Sequence, residues 1–246
     1  IECIIMDWAG TAVDYGCFAP VAAFIEAFAE KGLVIDVVQT RKPMGLPKIQ
    51  HIRELLSMPE VNEQFTARYQ RAWTEEDVAE LNRLFEKHLF ASLKNYTDPI
   101  PGVIPTLEKL RAEGLKIGST TGYTREMMDV VLPAAQAKGY RVDYCATPNL
   151  LPAGRPAPYM IFENLTKLAV SSLDAVVKVG DTIADIREGV NAKVYSVGII
   201  LGSNEMALTE AETKAMPATE LEARIADVKE RMLAAGASYV IRTIEE

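Results

Sequence analysis

Three places in this chain put carboxylates or hydroxyls directly behind an apolar run. Ile4-Ile5-Met6 delivers Asp7; "LKIGSTTG" ends in Ser119-Thr120-Thr121-Gly122; "AVVKVGDT" ends in Gly180-Asp181, with Asp185 four residues further on. If those runs are strands of one parallel sheet, the polar residues share the crevice outside the strands' carboxyl ends, where ligands bind in such sheets. Asp181 and Asp185 flank the start of the following helix, so both face that crevice. Carboxylates gathered there are costly unless a cation neutralises them. Mg²⁺, a hard ion that takes one or two carboxylates plus substrate oxygens, suits the set. A hydroxyl at Thr121 and the cation Arg155, in the loop "AGRPAP", would then hold a phosphoryl group.

Each residue alone has a plainer explanation. An Asp behind a strand is often a helix N-cap or a turn residue. A loop arginine is usually a solvated charge. The series Asp7, Thr121, Arg155, Gly180-Asp181, Asp185 argues for a site because all five places fall where one sheet would bring them together.

The elements that must position these residues are legible as alternation. "ECIIMDWA", "LKIGSTTG", "YCATPNL", "AVVKVGDT", "VYSVGII" and "SYVIRTIEE" are short β-rich runs, as expected for strands buried on both faces. Between them, "IPTLEKLRAEG", "TREMMDVVLPAAQAKG", "PYMIFENLTKLAV" and "IADIREGVN" carry helical periodicity, and Gly114 and Gly139 suit helix C-termini. Strand–helix alternation predicts an α/β, doubly wound parallel sheet of Rossmann-like form. From about Phe18 to Tyr96 the alternation stops. "PVAAFIEAFAEKG", "PKIQHIRELLS", "VNEQFTARYQRAW" and "TEEDVAELNRLFEKHLFASL" predict an inserted group of helices, and Asp98-Pro99-Ile100-Pro101-Gly102 a linker back. The expected division is therefore a core of residues 1–16 and 98–246 and a helical domain of residues 17–97. The stretch "EAETKAMPATELEARIADVKERMLAAG" reads as surface helices.

Composition narrows the classes. The 246 residues are 49% hydrophobic and 24% charged, ordinary for a globular chain. A net charge of −8 argues against a nucleic-acid surface. No apolar run approaches the ~18 residues of a membrane span. "IECIIMD" reads as a strand rather than a signal peptide. Cys3, Cys17 and Cys145 are scattered, without CxxC spacing, which argues against a disulfide framework or a structural zinc site and for a reducing cytoplasm.

The series of motifs resembles the haloacid dehalogenase superfamily, whose members use a strand-end aspartate as nucleophile. The resemblance implies that the helical insertion is a mobile cap. In the Mg²⁺-dependent phosphotransferases of that superfamily the first motif is DxDxT, and the second Asp protonates the leaving oxygen. Here the motif reads Asp7-Trp8-Ala9-Gly10-Thr11, and Ala9 does neither this nor the activation of water. Three readings follow: an inactive protein, a dehalogenase whose halide needs no proton, or a leaving group stabilised by another device.

The insertion offers such a device. In "RKPMGLPKIQHIREL", Pro47 suits the first helical position and places Lys48 in the first turn, at the helix's positive end. That field and desolvation depress a lysine pKa. Bringing it from about 10.4 to about 7 takes roughly 4–5 kcal/mol. A neutral amine condenses with an aldehyde to an imine, which is an electron sink. His51, three residues on, shares the face and is placed to shuttle protons. If a C–P bond breaks, the leaving group is a carbanion; an imine accepts its electrons as an enamine, and no leaving oxygen needs a proton. The plainer reading of Lys48 is an exposed helix lysine, and of His51 a packed imidazole.

"DWAGT", "VDYGCFAP", "MGLPKIQHI", "STTGYT", "GRPAPYM" and "VGDT" followed by Asp185 together resemble the phosphonatases of that superfamily, from Ile1 to about Gly202. "MGLPKIQHI" discriminates, since the other motifs specify only the superfamily. The resemblance implies hydrolysis of phosphonoacetaldehyde, with Asp7 as nucleophile and Lys48 as Schiff-base lysine. It implies Mg²⁺ held by Asp7, the Ala9 carbonyl and Asp181, with Asp185 in support. It places Cys17, Met44, Gly45, His51, Thr121, Gly122, Tyr123 and Arg155 at the site, Arg155 standing where the superfamily usually has a lysine. The partner is a small phosphonate, with neither nucleic acid nor membrane, in a homodimer; the amphipathic "AAFIEAFAEKG" suits either a cap-to-cap contact or packing within the cap. The competing functions are hydrolysis of C–halogen bonds or phosphate esters, and noncatalytic phosphate binding.

Overall fold

The computed structural model describes residues 1–43 and 48–246. Strand β1 (Cys3–Met6) is followed by α1 (Ala19–Glu30), α2 (Val37–Arg41), α3 (Lys48–Ser57), α4 (Pro59–Tyr69) and α5 (Glu75–Ser92). The chain then runs through α6 (Val103–Ala112), β2 (Lys116–Thr120), α7 (Arg125–Ala137), β3 (Tyr144–Ala146), α8 (Tyr159–Lys167), β4 (Val176–Gly180) and α9 (Ile183–Ala192). It ends with β5 (Tyr195–Ile199), α10 (Glu210–Ala215), α11 (Ala218–Ala234) and β6 (Tyr239–Ile241). Two compact units result: Ile1–Cys17 with Lys94–Glu246, and Phe18–Leu93.

The first unit is an α/β sheet of six strands in the order β3-β2-β1-β4-β5-β6, every neighbouring pair parallel. All six expected strands form. The chain order reverses at β1, with β2 and β3 on one side and β4 to β6 on the other, which opens a crevice at the carboxyl ends. Register decides what lines it. Met6 pairs with Ser119 of β2 and with Val179 of β4. One residue further, Asp7, Thr120 and Gly180 stand level at the mouth of the crevice, and the Asp7 amide donates to the Val179 carbonyl at 2.9 Å.

The sheet is held by apolar contacts on its faces. Cys3 and Ile5 pack with Ile161, Leu165, Val170, Val176, Ala192 and Val194 in one cluster. A second joins Ile186 and Ile200 to Ile225, Val228 and Met232 of α11. The C-terminal helix lies at the surface as read from the sequence, and packs on the sheet through a buried stripe of residues three to four apart, Ile225, Val228 and Met232. Each such side chain stabilises the fold by roughly 1.5–3 kcal/mol. Met232 approaches so closely that a Cβ on Gly198 would lie 2.5 Å from its sulfur.

The second unit is helical. The apolar face of α1, including Val21, Phe24, Ala27 and Phe28, is buried, and α1 packs mainly on α5. That face is consumed within the unit and supplies no argument for a cap-to-cap dimer. A Thr74–Asp77 capping box starts α5, and Arg71 forks onto the Asp77 carboxylate at 2.7 and 2.8 Å. Helix α2 was not expected. Its β-branched "VVQTR" is a poor helix former, but a capping box between Asp36 and Gln39 starts it.

Candidate active site

Oxygens of Asp7, Asp181 and Asp185 lie within 4.8 Å of one another, and all three residues are buried. Each is placed by a different local device. Asp7 follows β1 directly. Asp181 follows β4, takes the Thr11 hydroxyl on Oδ1 at 3.1 Å and the Asn204 amide on Oδ2 at 2.7 Å. Asp185 is the third residue of α9 and closes its capping box: Oδ2 accepts from the Thr182 hydroxyl at 2.6 Å. Gly10 is needed for this packing. Its φ is +87°, and a Cβ there would sit 2.2 Å from Asp181 Oδ2. The plain reading of Asp185 as a helix cap is therefore correct and incomplete, since its other oxygen faces the cluster's cations.

Those cations are Arg155 and Lys178. The Arg155 guanidinium donates from Nη2 to Asp7 Oδ1, and to the Thr120 hydroxyl at 2.9 Å. Its Nη1 lies 3.0 Å from Asp185 Oδ1, and its Nε donates to Glu188 Oε2 at 3.2 Å. Lys178, fully buried in β4, reaches Asp185 Oδ1 at 2.8 Å. Burial opposes the charge on Arg155, but Asp185, Asp7 and Glu188 outweigh it and raise the pKa. Burial likewise works against an ionised Asp185, yet Arg155 and Lys178 hold its pKa below the ordinary carboxylate value. Among the described residues Asp181 has no cationic partner of this kind. Burial, then Asp7 and Asp185, push it well above the ordinary value.

A divalent cation answers that imbalance. The three acidic groups are hard oxygen donors, close enough to share one ion, and Asp181 is the member whose charge the protein itself leaves least compensated. The donor set fits Mg²⁺, with Asp7 and Asp181 as direct candidates.

The other expected residues fall in several places. Ala9 bridges to Val13 just beyond Asp7. Thr121 is buried, and its hydroxyl oxygen accepts the Tyr123 amide at 3.1 Å. It is Thr120, one residue earlier, that bonds Arg155. Gly122 is exposed. The Tyr123 hydroxyl is pushed well above its ordinary pKa by burial and by Cys17, Asp14 and Asp7, which places it in the neighbourhood of the nucleophile candidate. Cys17 is half-buried with φ +54° and forms no disulfide. Met44 and Gly45 lie outside the described residues, as does Pro47.

Lys48 and His51 belong to the helical unit. Lys48 opens α3. Its Nζ lies 5.5 Å from the Phe24 ring centroid and 5.6 Å from that of Phe85. His51 stacks on Phe24, with centroids 4.0 Å apart, so the two residues share a face as expected. His51 is fully buried, and its Nε2 is 2.9 Å from the Thr40 carbonyl. A carbonyl only accepts, so Nε2 carries the proton and Nδ1 keeps the lone pair. Among the described residues Nδ1 has no hydrogen-bond partner. Burial, and secondarily Lys48, lower the His51 pKa to about 4. The ring is neutral at pH 7 and offers a base at Nδ1.

Sequence reasoning missed Thr120, Lys178 and Glu188. Thr120 was within a quoted motif and passed over for its neighbour. Lys178 interrupts an apolar strand, and Glu188 lies three residues beyond Asp185; both spacings were readable, but nothing local distinguishes them from solvated charges.

A model of the family described as haloacid dehalogenase-like hydrolase matches residues 1–193. The phosphonoacetaldehyde hydrolase of Bacteroides fragilis is 88% identical over 246 residues, covering 100% of this chain and 94% of that protein. The phosphonoacetaldehyde hydrolase of Parabacteroides distasonis is 63% identical over 247 residues, with coverage of 100% and 94%. Among solved structures, the phosphonoacetaldehyde hydrolase-like protein of Oleispira antarctica is 33% identical with a TM-score of 0.89, covering 100% of this chain and 89% of that one.

Proposed function

The chain belongs to the haloacid dehalogenase-like hydrolases, and from that premise we propose that it hydrolyses the C–P bond of phosphonoacetaldehyde to acetaldehyde and phosphate. The observation that carries this reading is full-length likeness, at 88% and 63% identity, to proteins bearing that activity as their name. The residue chemistry supports it. Ala9 stands where a proton donor to a leaving oxygen would be, and Lys48 stands at a helix start beside a neutral imidazole.

Once deprotonated, Lys48 Nζ adds to the aldehyde carbon and, with loss of water, gives an imine. Nδ1 of His51 takes and returns protons in that exchange. Asp7 Oδ attacks phosphorus as the C–P bond breaks; the bond's electron pair passes to carbon and is delocalised onto the protonated imine nitrogen as an enamine. A proton on carbon and hydrolysis of the imine release acetaldehyde and regenerate Lys48. Water then cleaves the aspartyl phosphate and releases phosphate. Arg155 orients the phosphonyl oxygens for attack. Asp7, Asp181 and the Ala9 carbonyl would hold Mg²⁺, with Asp185 in support; the ion supplies charge that offsets the carboxylates and draws phosphonyl oxygens. Residues 17–97 act as the cap whose closing excludes water, Met44, Gly45, Cys17, Gly122 and Tyr123 contributing to substrate contacts, in a cytoplasmic homodimer.

Borohydride reduction with substrate tests the imine. Wild type should acquire a mass increment of a reduced two-carbon adduct, lodged on Lys48. Lys48→Arg should lose the adduct and phosphate release from phosphonoacetaldehyde, falling by about 10³-fold or more. An adduct that survives in Lys48→Arg refutes the assignment. Release of phosphate from simple esters without need of Lys48 would favour an esterase instead.

A further inference from the structure

Glu188 is fully buried, and a carboxylate so placed requires a reason. Lys178 is not a sufficient one. Its Nζ lies 2.8 Å from Asp185 but 3.6 Å from Glu188. Hydrogen bonds come to Glu188 from elsewhere: Oε2 accepts from the Thr120 hydroxyl at 3.0 Å and from Arg155 Nε at 3.2 Å. Arg155 Nη2 in turn donates to the Thr120 oxygen at 2.9 Å. The three residues close a ring: guanidinium to hydroxyl, hydroxyl to carboxylate, and guanidinium to the same carboxylate oxygen. The ring ties the end of β2, the second turn of α9 and the 151–158 loop together.

The ring divides the work of the guanidinium. Its Nε side is held by Glu188 and Thr120, neither of which is in the acidic cluster. Its remaining donors go to Asp7 and Asp185, which are in it. Those last contacts are the ones that must be exchanged when Asp7 turns to phosphorus and phosphonyl oxygens arrive. A planar fork held along one edge keeps its aim while its other partners change.

We propose that Glu188, together with Thr120, is the positioning residue of Arg155: it fixes the plane of the guanidinium so that the Nη groups stay directed at the phosphonyl position throughout the reaction. The proposal rests on the reading of Arg155 as the phosphonyl-binding cation. It does not depend on the leaving group being carbon.

Inorganic phosphate, the product of phosphonate and phosphate-ester hydrolysis alike, is the probe. Its affinity for the full chain in the presence of Mg²⁺ is measured by calorimetry, with thermal unfolding as the check on folding. Glu188→Ala should weaken phosphate at least tenfold. Glu188→Gln keeps an acceptor oxygen and should stay within about threefold of wild type. In an Arg155→Ala background, Glu188→Ala should have no further effect, the non-additivity expected of residues acting as one unit. Equal losses in Glu188→Ala and Glu188→Gln would make charge rather than orientation the cause and overturn the proposal. So would additive losses in the double variant. If Glu188→Ala does not fold, Thr120→Val carries the test, because it cuts the ring at its middle link without altering charge. Thr120→Val should weaken phosphate about threefold to tenfold, and unchanged affinity overturns the proposal. Failure of the phosphonate reading would look different: wild type would bind phosphate yet release none from phosphonoacetaldehyde, and the variants would still decide the role of Glu188.

Discussion

In the α/β unit, Arg155 and Lys178 are buried against Asp7, Asp185 and Glu188 at hydrogen-bond or ion-pair distances. In the helical unit, Lys48 lies over the faces of Phe24 and Phe85, beside an imidazole kept neutral. These two kinds of contact differ in strength. Removing one partner from a buried ion pair costs about 3–5 kcal/mol. An ammonium over a ring gains about 0.5–2 kcal/mol. Strong pairing suits groups that must hold one protonation state while a highly charged phosphonyl binds. On the proposed imine chemistry the Lys48 amine must shed its proton before it can react, and the faces of Phe24 and Phe85 favour its charge only modestly. On the proposed chemistry, charge stays fixed in the one unit and is exchanged in the other.

The harshest trial of that division is Asp7→Ala. Phosphate release should fall by about 10⁴-fold or more, as for loss of a nucleophile, while borohydride trapping of substrate on Lys48 persists. Chelation of divalent cations should act in the same direction, stopping phosphate release and sparing the adduct. If either treatment abolishes trapping, the two chemistries are not separable in this way.

Gly10→Ala should have a smaller effect and confine it to the α/β unit. A left-handed φ and a Cβ aimed at Asp181 together cost about 1–3 kcal/mol in thermal unfolding. Divalent-ion affinity should weaken in parallel. Wild-type ion affinity in that variant would show that Asp181 can move without consequence.

The mildest test is of pH. The folded His51 pKa of about 4 lies below the ordinary imidazole value of 6.5. Between those values the unfolded chain binds more protons than the folded one, so stability is complete above about 6.5 and declines as pH falls toward 4. The loss is on the order of 3 kcal/mol. Thermal unfolding of His51→Leu, starting from a lower plateau because the Thr40 carbonyl loses its donor, should show a flatter profile over that range. An equally steep profile would mean that groups other than His51 govern it.

The strands and the acidic triad were legible because each depends on a short local pattern: an apolar run, then a polar residue at its end. Asp7, Asp181 and Asp185 need only that pattern and parallel register to meet. Lys178 and Glu188 were hidden because their burial is meaningful only with partners from other elements; in sequence, each looks like an ordinary charge. Thr120 was passed over for the same reason: its bonds to Arg155 and Glu188 come from other elements of the chain. Helix α2 had a readable signal in Asp36-x-x-Gln39 that its β-branched residues masked. The apolar stripe of α11 was likewise present at Ile225, Val228 and Met232, submerged in charge.

Gly180 and Asp185 are in direct contact: a Cβ on Gly180 would lie 2.3 Å from the Cβ of Asp185 and 2.4 Å from its Cγ. In evolutionary terms the two positions form a single heritable character. Asn at 185 would keep the helix cap and abandon Arg155 and Lys178; Glu would keep the charge but carry it a methylene further into a space already filled. Any side chain at 180 evicts the carboxylate that starts α9. A side chain at 180 therefore demands a change at 185, and with it the loss of one half of the α9 capping box.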